Sequence, residues 1–104
     1  MTKYVLLYSG GGMPESEAEG AKVMAAWGAW MGSLGAALVD GGNPFSNAKN
    51  ISPDGSVNDG PVGTPNTGFS VISADSHDAA VALAKGCPHL QSGGQITVYE
   101  TMEM

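Results

Sequence analysis

Residues 4–8 read Tyr4-Val5-Leu6-Leu7-Tyr8, an unbroken apolar run closed by Ser9-Gly10-Gly11-Gly12. A strand points successive side chains to opposite faces, so Tyr4, Leu6 and Tyr8 share one face and Val5 and Leu7 the other. A strand wet on one side carries polar residues there. This one carries none, so it has to be covered on both faces. That demand constrains the fold more than any other feature of the chain.

The segments that follow supply one cover. Ser16 and Glu19 have the spacing of a capping box, and Pro14 suits a helix entry. Val23, Trp27, Trp30 and Leu34 then recur at helical spacing, with Met24 and Met31 beside them. Gly20, Gly28 and Gly32 fall on one line of that helix, which predicts a close approach to a sheet or to another helix, and Gly35 is placed to cap its end. A second strand is expected at residues 36–39, ending in Asp40-Gly41-Gly42-Asn43-Pro44. Residues 45–65 are rich in Gly, Pro, Asn, Ser and Asp. Short strands are expected there at 48–51 and near 56–57, turning at Pro53-Asp54-Gly55. Residues 67–74 predict another strand, with Phe69 and Val71 opposing Ile72 and Ala74. Asp75-Ser76 caps a second helix with Asp78 in its first turn and Ala80, Leu83 and Ala84 on its apolar side. Gly86-Cys87-Pro88 stops it, and a last strand runs over about 95–102.

The order β-α-β, an irregular β segment, then β-α-β predicts a single α+β domain over residues 1–104. Its form is ferredoxin-like, with both helices on one face of an antiparallel sheet. Two helices cover one face only, so a second copy is the economical cover for the other, and a homodimer or higher homo-oligomer is expected. Composition agrees. Charged residues are 13% of the 104, against about 25% in an average domain, and hiding surface in an assembly relieves that shortage.

The net charge is -6, with four lysines and no arginine, which disfavours nucleic acid and anionic membrane as partners. The apolar run near the N-terminus is too short for a signal-peptide core, and one cysteine, Cys87, needs no oxidising compartment. No stretch approaches the roughly 20 apolar residues of a membrane span. These features predict a cytoplasmic protein. Ser9-Gly10-Gly11-Gly12 lacks the spacing of a phosphate loop, and His77 and His89 stand without a Cys/His cluster, so neither cofactor nor metal is expected.

Asp40-Gly41-Gly42-Asn43-Pro44, Asn58-Asp59-Gly60-Pro61, Ala84-Lys85-Gly86-Cys87-Pro88-His89-Leu90 and Gly93-Gly94-Gln95-Ile96-Thr97-Val98 occur in that order over nearly the whole chain. In this the sequence resembles the YCII-related proteins, and best the branch named for an Asp-Gly-Pro-Phe motif. The resemblance implies a ferredoxin-like monomer that forms a dimeric α/β barrel, with a pocket at or near the sheet interface. Some relatives resemble a dehydrochlorinase, and one branch carries a proposed catalytic His-Asp pair. Here the first helix has no histidine, Cys87 stands before Pro88 where that aspartate is expected, and Val62 follows Asp59-Gly60-Pro61.

Five residues are candidates for a site. His89 is an imidazole able to exchange a proton near neutral pH, or else a residue that bonds loop carbonyls and holds a helix end. Asp59 is a carboxylate able to serve as a base beside His89, or else ordinary turn chemistry. Trp27 and Trp30, three apart on a helix, together with Tyr8, offer an aromatic wall for a flat ligand or else simply core. Three functions remain open: an acid/base enzyme (a lyase, dehydrochlorinase-like) acting on a small, ring-bearing organic molecule; a non-catalytic small-molecule binding or sensing module; and an assembly subunit whose pocket is filled by its own side chains.

Overall fold

The computed structural model describes residues 1–12 and 15–103; Pro14, expected at the helix entry, lies outside them. Strand β1 (Thr2–Gly10) leads to helix α1 (Glu17–Leu34), a 3-10 turn over Gly35–Ala37 and strand β2 (Leu38–Asp40). A hairpin of β3 (Lys49–Ile51) and β4 (Val57–Asp59) follows, then β5 (Asn66–Ala74), α2 (His77–Ala84), a 3-10 turn over Pro88–Ser92 and β6 (Gly94–Glu100). The main sheet has the order β2-β5-β1-β6, with every pair antiparallel. Two β-α-β units interleave in it, an α+β arrangement compatible with a ferredoxin-like fold.

The caps sit where the sequence puts them. Ser16 Oγ accepts from the Glu19 N–H at 3.1 Å, and Ser76 Oγ accepts from Ala79 at 3.0 Å. Each bond satisfies one of the N–H groups a helix start leaves without a partner. The strand expected at 36–39 begins two residues later and ends one later, at Leu38–Asp40, because Gly35–Ala37 wind into a 3-10 turn before β2 begins.

Both helices lie on the Tyr4–Leu6–Tyr8 face. Tyr4 stands opposite Ile72 and Glu100, Leu6 opposite Ser70 and Val98, and Tyr8 opposite Gly68 and Ile96. Trp30 and Leu34 of α1, Ala80 and Ala84 of α2, and Cys87 complete this core. Leu6 and Ile72 are fully buried, and side chains of that size each contribute about 1.5–3 kcal/mol when taken from water. On the opposite face Val5 lies between Val71 and Tyr99, and Leu7 between Phe69 and Thr97. Val5, Leu7, Phe69 and Val71 are half-buried, and Tyr99 is 53% exposed. One face of the sheet is therefore packed, and the other presents apolar side chains to solvent.

Two glycines of the α1 line, Gly28 and Gly32, face open space. A Cβ at Gly28 or Gly32 would have no atom within 4 Å, so the predicted close approach to a sheet or helix of the same chain does not occur there. Among the described residues, no helix is long and apolar enough to cross a membrane.

Candidate functional site

Four of the five candidate residues meet. The Tyr8 ring lies 5.4 Å from Trp27, edge to face, and 5.3 Å from His89, while Trp27 meets Trp30 at 5.8 Å, also edge to face. Strand β1 supplies Tyr8, α1 supplies both tryptophans three residues apart, and the turn after α2 supplies His89. Edge-to-face pairs at these separations are the arrangement that aromatic quadrupoles favour.

Three polar atoms of the cluster have structural partners: Trp30 Nε1, the Tyr8 hydroxyl and His89 Nε2. Trp30 Nε1 donates to the Leu83 carbonyl at 3.1 Å, tying α1 to the end of α2. The Tyr8 hydroxyl donates to Ser70 Oγ at 2.8 Å, and Ser70 donates in turn to the Gly41 carbonyl at 2.8 Å. Burial pushes the Tyr8 phenol up to about 12, because the phenolate would lose its water. The Cys87 thiol is pushed up for the same reason, which disfavours the thiolate a nucleophile requires.

His89 is held on several sides. Its Nε2 is 2.9 Å from the Ser9 carbonyl. A Cβ at Gly94 would overlap the imidazole, and one at Gly11 would stand 3.0 Å from its Cε1. The ring thus occupies a slot that only glycines leave open. The Gly12 N–H donates to the Ser92 carbonyl at 3.0 Å, fastening the glycine loop to the same turn. The glycine loop is thus a clasp around an imidazole.

Asp59 is not part of this cluster. It ends β4, stands opposite Lys49 in the hairpin register, and accepts from Lys49 Nζ at 3.0 Å, with both side chains largely in solvent. No hydrogen bond or ion pair joins Asp59 to His89 among the described residues, and Asp59 belongs to a two-stranded sheet separate from the main sheet. Among the described residues no three His, Cys, Asp or Glu side chains converge as a metal site requires.

Asp59 does border a groove. About 640 Å3 of open space lies between Phe45–Lys49 on one side and Asp59, Gly60, Pro61, Pro65 and Asn66 on the other. Phe45 stacks on Phe69 of the open sheet face, with ring centroids 5.9 Å apart. Asp40-Gly41-Gly42-Asn43-Pro44 leads into the Phe45 side of the groove and fixes it against β5. The Gly42 N–H donates to the Asp40 carboxylate at 2.8 Å, Pro44 bridges to Gly68, and Phe45 donates to the Thr67 carbonyl. Gly42 has φ 73°, and a Cβ there would collide with the Phe69 carbonyl, so only glycine lets this segment lie against β5.

Sequence reasoning passed over Ser70 and Phe45. The signal for Ser70 is its place between Gly68 and Ile72 on the buried side of β5, where a hydroxyl must find a partner. Phe45 gives no such signal, since its stacking partner is 24 residues away.

No protein-family model matches the chain, and a search of curated proteins finds no match. The YCII-related resemblance rests on the four sequence motifs.

Proposed function

We propose that this chain is a YCII-related, non-catalytic binding module for a small ring-bearing organic molecule, and that it works as a homodimer. In this reading the open sheet faces of two copies pair to form an α/β barrel, and the ligand lies in the Phe45 groove at its margin. The observation that carries the choice of binding over acid/base chemistry is the engagement of His89. Its Nε2 contacts a backbone carbonyl, its ring fills a glycine slot, and Asp59, the candidate carboxylate, pairs instead with Lys49. The groove falls in the range of about 300–1,000 Å3 typical of small-molecule sites. Phe45 offers a ring face there, and Asn47 and Asn66 offer amides.

Surface area supports the dimer. A compact 10.5 kDa monomer exposes about 5,400 Å2, whereas this chain exposes 7122 Å2. The excess of about 1,700 Å2 per chain is what a large homodimer interface removes.

The test is calorimetric titration with a panel of phenols, benzoates and heteroaromatic acids, each repeated on Phe45→Ala. Loss of one stacked ring weakens a true ligand by about 3- to 10-fold. Binding that ignores Phe45→Ala, or a panel with no binder, overturns the reading. Turnover of a ligand that disappears in His89→Ala would replace it with the acid/base enzyme.

A further inference from the structure

The Phe45 groove is framed at both ends by main-chain bonds. At one end the Phe45 N–H donates to the Thr67 carbonyl at 2.8 Å, and at the other the Gly60 N–H donates to the Ala48 carbonyl at 2.9 Å. Pro44 bridges to Gly68 beside the first bond. Pro61 and Pro65 stand on the facing wall, and each pyrrolidine ring locks its own φ at about -65°. The two walls therefore keep their separation before any ligand arrives, which lowers the ordering cost of binding.

This frame offers an anion little. The N–H groups of Phe45 and Gly60 are already engaged, and Pro61 and Pro65 have none. The lining cation, Lys49, meets Asp59 at 3.0 Å, and Asp59 lines the groove as well. A ligand carboxylate laid beside Lys49 thus also lies beside a carboxylate of the protein, and the two charges cancel across the groove. The whole chain carries a net charge of -6, so its long-range field repels anions rather than steering them in. A ligand ammonium meets the converse problem, since Lys49 stands beside the aspartate it would seek.

Neutral polar groups are what the lining adds. Asn47 stands on the Phe45 side and Asn66 on the other, both exposed. A side-chain amide presents an N–H donor and a carbonyl acceptor side by side. It pairs bidentately with a ring edge that shows one of each, as asparagine does with adenine. Phe45 supplies the stacking surface. One of its faces rests on Phe69, which fixes the ring, and 47% of the residue is still exposed where it lines the groove.

We propose that the groove selects an uncharged aromatic ring whose edge carries an amide or lactam, over ring acids and ring amines of the same size. The inference rests on the binding-module reading above and names the ligand class of that site. The ring stacks on Phe45, and its amide edge bonds Asn47 or Asn66. Asp59 is then a specificity-determining residue: its carboxylate cancels the Lys49 charge and so excludes acids.

Calorimetric titration of the full chain with matched probes tests this: benzamide against benzoate and benzylamine, and nicotinamide against nicotinate. Each amide is expected to bind about 10-fold or more tighter than the acid or amine on the same ring. Its Kd should hold between about 50 and 500 mM NaCl, because no net charge is paired. Asn47→Ala or Asn66→Ala should weaken the amides by about 5-fold or more. Asp59→Asn removes the carboxylate beside Lys49, so benzoate and nicotinate should gain about 5-fold or more while the amides stay within about 2-fold. Circular dichroism checks that each variant is folded. An acid or amine that binds wild type as tightly as its amide, acids that gain nothing in Asp59→Asn, or amides that ignore both asparagine variants overturn the inference. Phenols that bind through Phe45 while no amide does overturn it too, and leave the binding module standing. No binder of either kind, or binding that ignores Phe45→Ala, overturns the groove reading and the inference together.

Discussion

Replacing Gly94 with alanine tests the slot in which His89 sits. Gly94 opens β6 and pairs with Gly10 of β1, so its backbone cannot retreat without breaking the ladder. The added methyl would overlap the imidazole of His89. The ring must then leave its place, losing the 2.9 Å contact from Nε2 to the Ser9 carbonyl and its packing beside Tyr8. Forcing one carbon into a filled site costs about 1–3 kcal/mol, and a lost hydrogen bond adds about 1 kcal/mol. The expected loss is about 2–4 kcal/mol out of a total stability of about 5–15 kcal/mol, or a fall in Tm of roughly 8–16 °C at this chain length. Urea unfolding followed by tryptophan fluorescence reads it directly, since Trp27 and Trp30 belong to the same cluster. Protein concentration is held fixed, because dissociation of the proposed dimer would otherwise enter the apparent stability. The decisive comparison is a double-mutant cycle with His89→Ala. With the ring gone the methyl has room, so Gly94→Ala should be nearly neutral in that background. A loss below about 0.5 kcal/mol in the wild-type background, or an undiminished loss beside His89→Ala, would refute the slot.

Gly28→Ala and Gly32→Ala should act in the opposite direction: both positions are helical and open, so each alanine is expected to stabilise by about 0.5–1 kcal/mol in the same urea assay. If either destabilises the protein, α1 packs closely against something outside the chain. Tyr8 predicts an alkaline limit. Its folded value of about 12 lies above the ordinary 10, so the neutral phenol stabilises the fold fully below pH 10, and that contribution is lost as pH rises from 10 through 12. Urea midpoints measured across this window should fall more steeply for wild type than for Tyr8→Phe; parallel curves would remove Tyr8 as the cause.

The sequence by itself determined the elements and the division of the sheet into two apolar faces. Strand alternation in residues 4–8 and 67–74, the Ser16 and Ser76 caps, and the Pro53-Asp54-Gly55 turn are local signals. They depend on side chains a few residues apart, and the structure keeps them. The aromatic grouping was half legible: the spacing of Trp27 and Trp30 puts them on one helix face, but only strand register and the turn after α2 bring Tyr8 and His89 to them. Where His89 and Asp59 sit, and which groups they meet, was decided by tertiary structure alone. Whether an imidazole is a free base or a ring clasped between glycines depends on Gly11, 78 positions away in the chain, and on the Ser9 carbonyl, 80 positions away. Whether Asp59 faces His89 depends on where an intervening hairpin is carried. The open sheet face belongs to both levels: alternation required a cover on each side, and the packed chain shows that its own two helices cover only one.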